Sequence, residues 1–247
     1  FILRRMKSEV LKELPPKTEN LHRIELDEQQ RKLYLAAVVD AREKLRAAKP
    51  EDKMAVFAVL MRLREICCDP RLVADNWDGG SAKLEACMEL VTAAVEGGHR
   101  ILLFSQFTSM LELLAKRLDE AGVSHFTLQG STPKPVRAEL VRRFNSGEAD
   151  VFLISLRAGG TGLNLTAADI VIHYDPWWNV AAQNQATDRA YRIGQRNPVQ
   201  VYKLIAQDTI EEKIVELQQA KQDLAETVTG SADGAILSMK PEDCCSC

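Results

Sequence analysis

The sequence predicts an α/β fold in which a parallel sheet of short apolar strands is flanked by helices. Three observations predict it. Strand-sized runs such as Ile101 to Phe104, Val151 to Ile154 and Ile170 to Tyr174 alternate with segments of helical length. Those runs are apolar at nearly every position rather than every second one, the mark of strands buried on both faces. Polar turns rich in glycine and hydroxyl groups follow directly after them, where an open parallel sheet places its ligands.

The elements follow in order. Leu14-Pro15-Pro16-Lys17 breaks the chain, because neither proline offers the amide that a helix or ladder needs. From Thr18 to Leu26 the residues Leu21, Ile24 and Leu26 suggest a strand, one that could pair with a partner body and leave an exposed edge here. From Asp27 the spacing turns helical through Leu33 and Val38, and again through Val56, Leu60, Leu63 and Ile66. Asp27 reads as a helix cap completed by Gln30 as a capping box. Asp75 to Ser81 is a turn-rich linker, and a domain boundary is placed there. Beyond it come a helix Ala82 to Glu96, the strand ending at Phe104, and a helix from about Ser109 to Glu120. Next are strand His125 to Leu128, helix Val136 to Phe144, and the strands ending at Ile154 and Tyr174. Helix Asn179 to Tyr191, strand Gln200 to Ile205 and a charged helix Thr209 to Glu226 complete the order. After Gly230 periodicity is lost.

At 247 residues the chain can hold one large domain or two small ones, and 46% hydrophobic with 27% charged residues is an ordinary soluble composition. No apolar run approaches the roughly 20 residues needed to cross a bilayer, so no membrane partner is expected. The N-terminus lacks both a secretory signal and an initiator Met, and reads as the start of a fragment. A net charge of −3 argues against a strongly basic nucleic-acid binder. Phosphate contact needs only local charge, however, and Lys134, Arg137, Arg142 and Arg143 form one basic cluster, Arg189, Arg192, Arg196 and Lys203 another. The six cysteines fall at 67, 68, 87, 244, 245 and 247. Cys244-x-x-Cys247 has no second ligand pair, so no metal site is assigned and reduced thiols are expected.

Three segments at strand ends carry polar groups that a core has no need for. Ser105-Gln106-Phe107 places a hydroxyl and free amides at one spot, either as an anion site or as a cap on the next helix. Ser155 to Leu165 orders a hydroxyl, Arg157 and three glycines just past a strand, which suits close approach of a phosphate or ribose, though turns use glycine for conformational reasons too. In Gln185 to Gln195 a helical reading puts Gln185, Arg189 and Arg192 at i, i+4 and i+7, on one face. Two guanidiniums and an amide converging there suit a polyphosphate, the alternative being a solvated polar face.

Together with Leu3-Arg4-Arg5, Gly130-Ser131-Thr132 and Asp175-Pro176-Trp177-Trp178-Asn179, these segments resemble the C-terminal RecA-like lobe of Swi/Snf-type DNA translocases in helicase superfamily two. The resemblance spans about Leu3 to Val228, and Arg192-Ile193-Gly194-Gln195 is its most specific stretch. Val180 replaces the family's proline after Asn179, and Tyr191 a common histidine. The resemblance implies a RecA-like lobe at residues 81–206, preceded by a helical segment with one strand at 1–80. A brace helix at 207–229 and a loosely ordered tail at 230–247 follow. It implies arginine fingers at Arg189 and Arg192, with Gln185, Gly160 and Gly162 lining the nucleotide side. Contacts to the backbone of double-stranded DNA fall to Ser105, Gln106, Gly130, Ser131, Ser155, Arg157 and Trp178. ATP with Mg2+ would be held mainly by a first RecA-like lobe of the same protein. The location would be cytoplasmic, at the nucleoid in a bacterium and nuclear in a eukaryote.

A complete ATPase needs a G-x-x-x-x-G-K-[ST] loop, and no Gly-Lys dipeptide occurs here, so the chain alone is expected to be inactive. Two rivals remain. One is a non-catalytic regulatory or protein-binding module that keeps the fold, favoured by the acidic charge. The other is an RNA helicase lobe, which shares the superfamily.

Overall fold

The computed structural model describes residues 14–47, 52–156, 158 and 162–229, with side chains to residue 221. The strands are β1 (Lys17–Ile24), β2 (Ile101–Ser105), β3 (His125–Leu128), β4 (Val151–Ser155), β5 (Ile170–His173) and β6 (Val199–Ala206). The helices are α1 (Glu28–Ala47), α2 (Lys53–Cys68), α3 (Ala82–Glu96), α4 (Thr108–Glu120), α5 (Lys134–Asn145), α6 (Val180–Thr187) and α7 (Ile210–Thr229), with a 3-10 turn at Pro70–Leu72. The strands form one parallel sheet ordered β1-β6-β5-β2-β4-β3. The expected parallel α/β architecture is what the chain adopts.

β2, β4 and β5 are buried along their whole length, as their unbroken apolar runs require. Their register aligns Ser105 with Ser155 and Phe104 with His173, so the polar ends of β2 and β4 finish side by side. The turns leaving them therefore arise at one edge of the sheet.

The strand read at Thr18 to Leu26 forms, but its partner is internal. Val199 donates its amide to Pro16 O at 2.9 Å and Gln207 to Ile24 O at 2.8 Å, which makes β1 the edge strand beside β6. One side of it is thus paired within the chain, while the other is the exposed edge that was expected. Alternation was too weak to show which apolar β-strand it would meet.

The chain folds into two compact units, each discontinuous in sequence. One comprises residues up to Leu21, Met88–Tyr174 and Ala181–Lys203; the other His22–Cys87, Asp175–Val180 and the chain from Leu204. The core of the first gathers Leu102, Phe104, Leu128, Phe144, Phe152 and Ile154. In the second, α1 and α2 pack through Tyr34, Ala41, Leu63, Ile66 and Cys67. Asp27 caps α1 by accepting the Gln30 amide at 2.8 Å, as read. The Gln30 side chain does not complete the capping box. It is fully buried and instead donates to Ile66 O at 2.8 Å while accepting from the Ala82 amide at 3.3 Å.

The second unit also holds a buried ionic cluster. Lys83 and Glu211 pair with no solvent exposure, and Glu211 also accepts the Ala206 amide. Burial penalises the Lys83 ammonium, but Glu211 more than offsets this and raises its pKa. Arg64, 1% exposed, reaches Pro176 O, lies 3.6 Å from Asp175, and sits 5.7 Å from the Trp178 ring. Cys67, Cys68 and Cys87 are buried thiols outside any disulfide, and burial pushes Cys87 up to about 12.

Candidate functional site

The three candidate segments separate once their surroundings are known. Of the eleven residues from Ser155 to Leu165, Arg157 and Gly160 lie outside the described residues, as do Gly159 and Thr161. Leu3-Arg4-Arg5 and the terminal cysteines Cys244, Cys245 and Cys247 lie outside them as well.

The helix expected from Asn179 to Tyr191 ends at Thr187. Beyond it the amides of Arg189 and Ala190 turn back to residues three earlier, and the Arg189 carbonyl accepts the Leu165 amide at 3.0 Å rather than continuing the helical ladder. The glycine-rich loop thus captures the carbonyl that a longer helix would use. Gln185, Arg189 and Arg192 consequently share no helical stripe, which corrects the spacing argument. They converge by another route. All three line a recess of about 310 Å³ together with Gly162, Leu163, Asp188 and Ile193.

Within this recess Gln185 is exposed and Arg192 half-buried, with Arg192 Nη1 donating to Leu163 O at 3.4 Å. Arg189 is 4% exposed, and that burial pulls its guanidinium down to about 10, still protonated at neutral pH. A cation penalised in this way gains from an approaching anion. A Cβ on Gly162 would meet nothing within 4 Å, so the loop faces open space there. Thr187, at the end of α6, bonds His173 Nε2 at 2.9 Å and ties the recess to the sheet. Gln195 donates to Ala168 O and Ala190 O from beneath. The donor set fits a phosphate. Among the described residues no cluster of three His, Cys, Asp or Glu side chains could hold a metal ion.

The strand-end serines sit deeper than expected. Ser105 is fully buried and Ser155 2% exposed. Ser105 Oγ accepts the Phe107 amide at 3.1 Å, so it shapes the turn that leads into α4. Gln106 is half-buried beside it, whereas Gly130 and Ser131 are exposed between β3 and α5. Trp178, in the other unit, is half-buried against Arg64.

The first basic cluster is largely engaged by its own chain. Arg142 pairs with Glu139 at 2.7 Å, and Arg143 with Glu148 at 2.7 Å while lying 4.9 Å from the Phe126 ring. Arg137 is directed at backbone carbonyls. Sequence reasoning singled out neither Arg64 nor the Lys83–Glu211 pair. Both lie among ordinary helix residues, and Lys83 finds its partner 128 residues away, beyond any local signal.

The recess thus gathers two arginines, an amide and an open glycine on the loops of a parallel-sheet lobe. Residues 82–194 match the Helicase conserved C-terminal domain, and residues 1–72 match the SNF2-related domain. The chain belongs to the Swi/Snf-type C-terminal lobes of helicase superfamily two. It is 40% identical over 228 residues, 91% of its length, to an uncharacterized ATP-dependent helicase of Mycoplasma pneumoniae, of which it covers 22%. The Sulfolobus solfataricus SWI2/SNF2 ATPase C-terminal domain superposes with TM-score 0.72 at 28% identity, over 88% of this chain and 91% of that one. The Sulfolobus solfataricus SWI2/SNF2 ATPase core in complex with dsDNA gives 0.75 at 31% identity, over 94% and 50%. The chain spans about a fifth to a quarter of the length of the curated relatives it matches.

Proposed function

We propose that this chain is the second motor lobe of an ATP-dependent translocase on double-stranded DNA. Arg189 and Arg192 act as arginine fingers on a nucleotide held by a first RecA-like lobe of the same protein. The observation that carries the reading is the recess in which both guanidiniums and Gln185 surround the open face at Gly162. Forked donors of this kind stabilise the charge spread over a transferring phosphoryl group. ATP with Mg2+ would supply that phosphoryl group and its charge-neutralising metal, carried mainly by the first lobe. Gly160 and Arg157 belong to the same proposed surface through their place in the sequence.

DNA contacts are assigned to Gln106, Gly130 and Ser131, to Arg157, and to the Trp178 ring. Ser105 and Ser155, whose side chains are buried, would serve through the turns that follow them. Such contacts read backbone rather than base, and are salt-sensitive. Residues 81–206 would be the motor lobe proper, with 1–80 as the helical segment before it and 207–229 as a brace helix. The cell compartment would be that of the DNA, the nucleoid or the nucleus.

The test is DNA-stimulated ATP turnover by the full-length protein, against the same protein carrying Arg192→Ala and against this chain alone. The full-length protein should turn over ATP with DNA, and the variant and the isolated chain should not. Turnover by the isolated chain, abolished by the same substitution, would instead place a complete ATPase site within it.

A further inference from the structure

Arg137 stands at the start of α5, and four of its hydrogen bonds reach backbone carbonyls in two separate loops. Nε donates to Thr132 O at 2.7 Å, and Nη2 to Gly130 O at 2.8 Å and Gln129 O at 3.1 Å. Nη1 donates to Ala158 O at 3.0 Å. The first three partners lie in the turn between β3 and α5, and the fourth lies past the end of β4. A guanidinium has five N–H donors in a rigid plane, so this one fork ties the turn after β3 to the Ala158 carbonyl.

We propose that Arg137 is a positioning residue that holds the Gly130-Ser131 turn in place for the DNA backbone by tying it to Ala158, rather than a phosphate ligand itself. The inference rests on the DNA-motor reading above. With four carbonyl oxygens facing it, the guanidinium has most of its donors engaged and presents little to a phosphate. The turn it holds is otherwise tied by two short-range bonds: Thr132 N donates to Gln129 O at 3.1 Å, and Gln129 N to Thr132 Oγ1 at 3.0 Å. A Cβ on Gly130 would meet nothing within 4 Å, so the turn is not packed from outside. Lysine would keep the charge, but its donors radiate from a single nitrogen and cannot span carbonyls in two loops.

The experiment uses the full-length protein as wild type, Arg137→Ala and Arg137→Lys. ATP turnover is followed against double-stranded DNA concentration, and hydrogen exchange is read at the Gln129 and Thr132 amides, which carry the turn's own bonds. Both variants should raise the DNA concentration for half-maximal stimulation about tenfold, the scale of one hydrogen bond to a charged group lost. Turnover at saturating DNA should change much less, and exchange at the two amides should rise equally in both. Thr132→Val, which loosens the same turn without touching charge, should move half-saturation in the same direction, and it keeps the test open if Arg137→Ala fails to fold. Rescue by lysine would overturn the proposal in favour of a simple charge contact. A fall in saturating turnover with half-saturation unmoved would overturn it in favour of general stability. A wild type indifferent to DNA would sink the motor reading and this one with it, whereas a stimulated wild type matched by Arg137→Lys sinks this one alone.

Discussion

Arg64 and Arg192 are the same side chain in opposite surroundings, one in each unit. Arg64 is enclosed, with its guanidinium turned to Pro176 O, Asp175 and the Trp178 ring. Arg192 is half-buried at the wall of a recess, with a 3.4 Å bond to Leu163 O. Enclosed charge that is met by an internal counter-charge organises a fold and is costly to break. Charge left facing a cavity adds little to the fold but has a strong claim on an anion. Composition treats the two arginines alike; only their surroundings tell the enclosed one from the one proposed as an arginine finger.

The largest effect expected from this contrast concerns activity. In the full-length protein Arg192→Ala should lower DNA-stimulated ATP turnover about 10³-fold or more, the lower end for an arginine finger, without changing the unfolding midpoint by more than a surface substitution would. Steady-state turnover and thermal melting check the two halves. A drop below tenfold, or a large loss of stability, would return Arg192 to the structural class and break the contrast.

The enclosed ion pair of the second unit should behave conversely. Lys83→Met strands Glu211 without its ammonium in a site closed to water, and should cost about 3–5 kcal/mol in denaturant unfolding. Replacing both, as Lys83→Met with Glu211→Leu, should recover much of that loss, because the stranded charge disappears. Recovery would not be complete, since Glu211 also accepts the Ala206 amide. Equal losses for the single and double variants would mean that packing rather than charge dominates there.

The sheet was legible because burial on both faces writes itself into every residue of a strand, and β2, β4 and β5 fall within one residue of their expected bounds. The cap at Asp27 and the start of α3 at Ala82 were legible because their signals are local too. What failed depended on distant partners. The helix read through Tyr191 stopped at Thr187, and Leu165, more than twenty residues earlier, takes the Arg189 carbonyl. Gln185, Arg189 and Arg192 nonetheless line one recess, so their convergence was legible while the scaffold that gathers them was not. Gln30 turned from a cap partner into a buried link between Ile66 and Ala82, again through contacts that no spacing encodes.

A smaller effect separates charge from burial within the first unit. His173 is buried against Phe104, with ring centroids 5.6 Å apart and planes 22° from parallel, and bonds Thr187. Burial chiefly, with Lys203 adding to it, brings its pKa down to about 3 from 6.5. The unfolded chain therefore binds a proton that the folded one refuses. The stability from keeping this ring neutral is fully present above pH 6.5 and is lost as pH falls from there towards 3, at about 1.4 kcal/mol per pH unit within the window. Glu19 adds a loss only further down: burial would raise its pKa, but hydrogen bonds from Lys17 and Lys203 hold it at about 2, so its share goes below pH 4.5. Unfolding of this chain between about pH 6.5 and 5 should show the histidine slope, and His173→Gln should flatten it. A variant with an unchanged slope would assign the proton elsewhere.

The smallest effect is expected where the sequence displayed the most positive charge. Arg142 is exposed and Arg143 partly so, and each is matched by a carboxylate one turn or loop away, Glu139 and Glu148, whose pKa values these bonds pull down. A cation that already neutralises a neighbour releases few counterions when DNA arrives. Arg142→Ala in the full-length protein should therefore leave the slope of log affinity against log salt unchanged, where a true phosphate contact would reduce it by about 0.9. Glu139→Gln is the sharper variant, because it frees the arginine without adding a cation. If it steepens the slope by nearly one unit, the basic face becomes a DNA surface only when its acids are removed. The acidic net charge of the chain is then the device that confines DNA contact to the loops at the sheet edge.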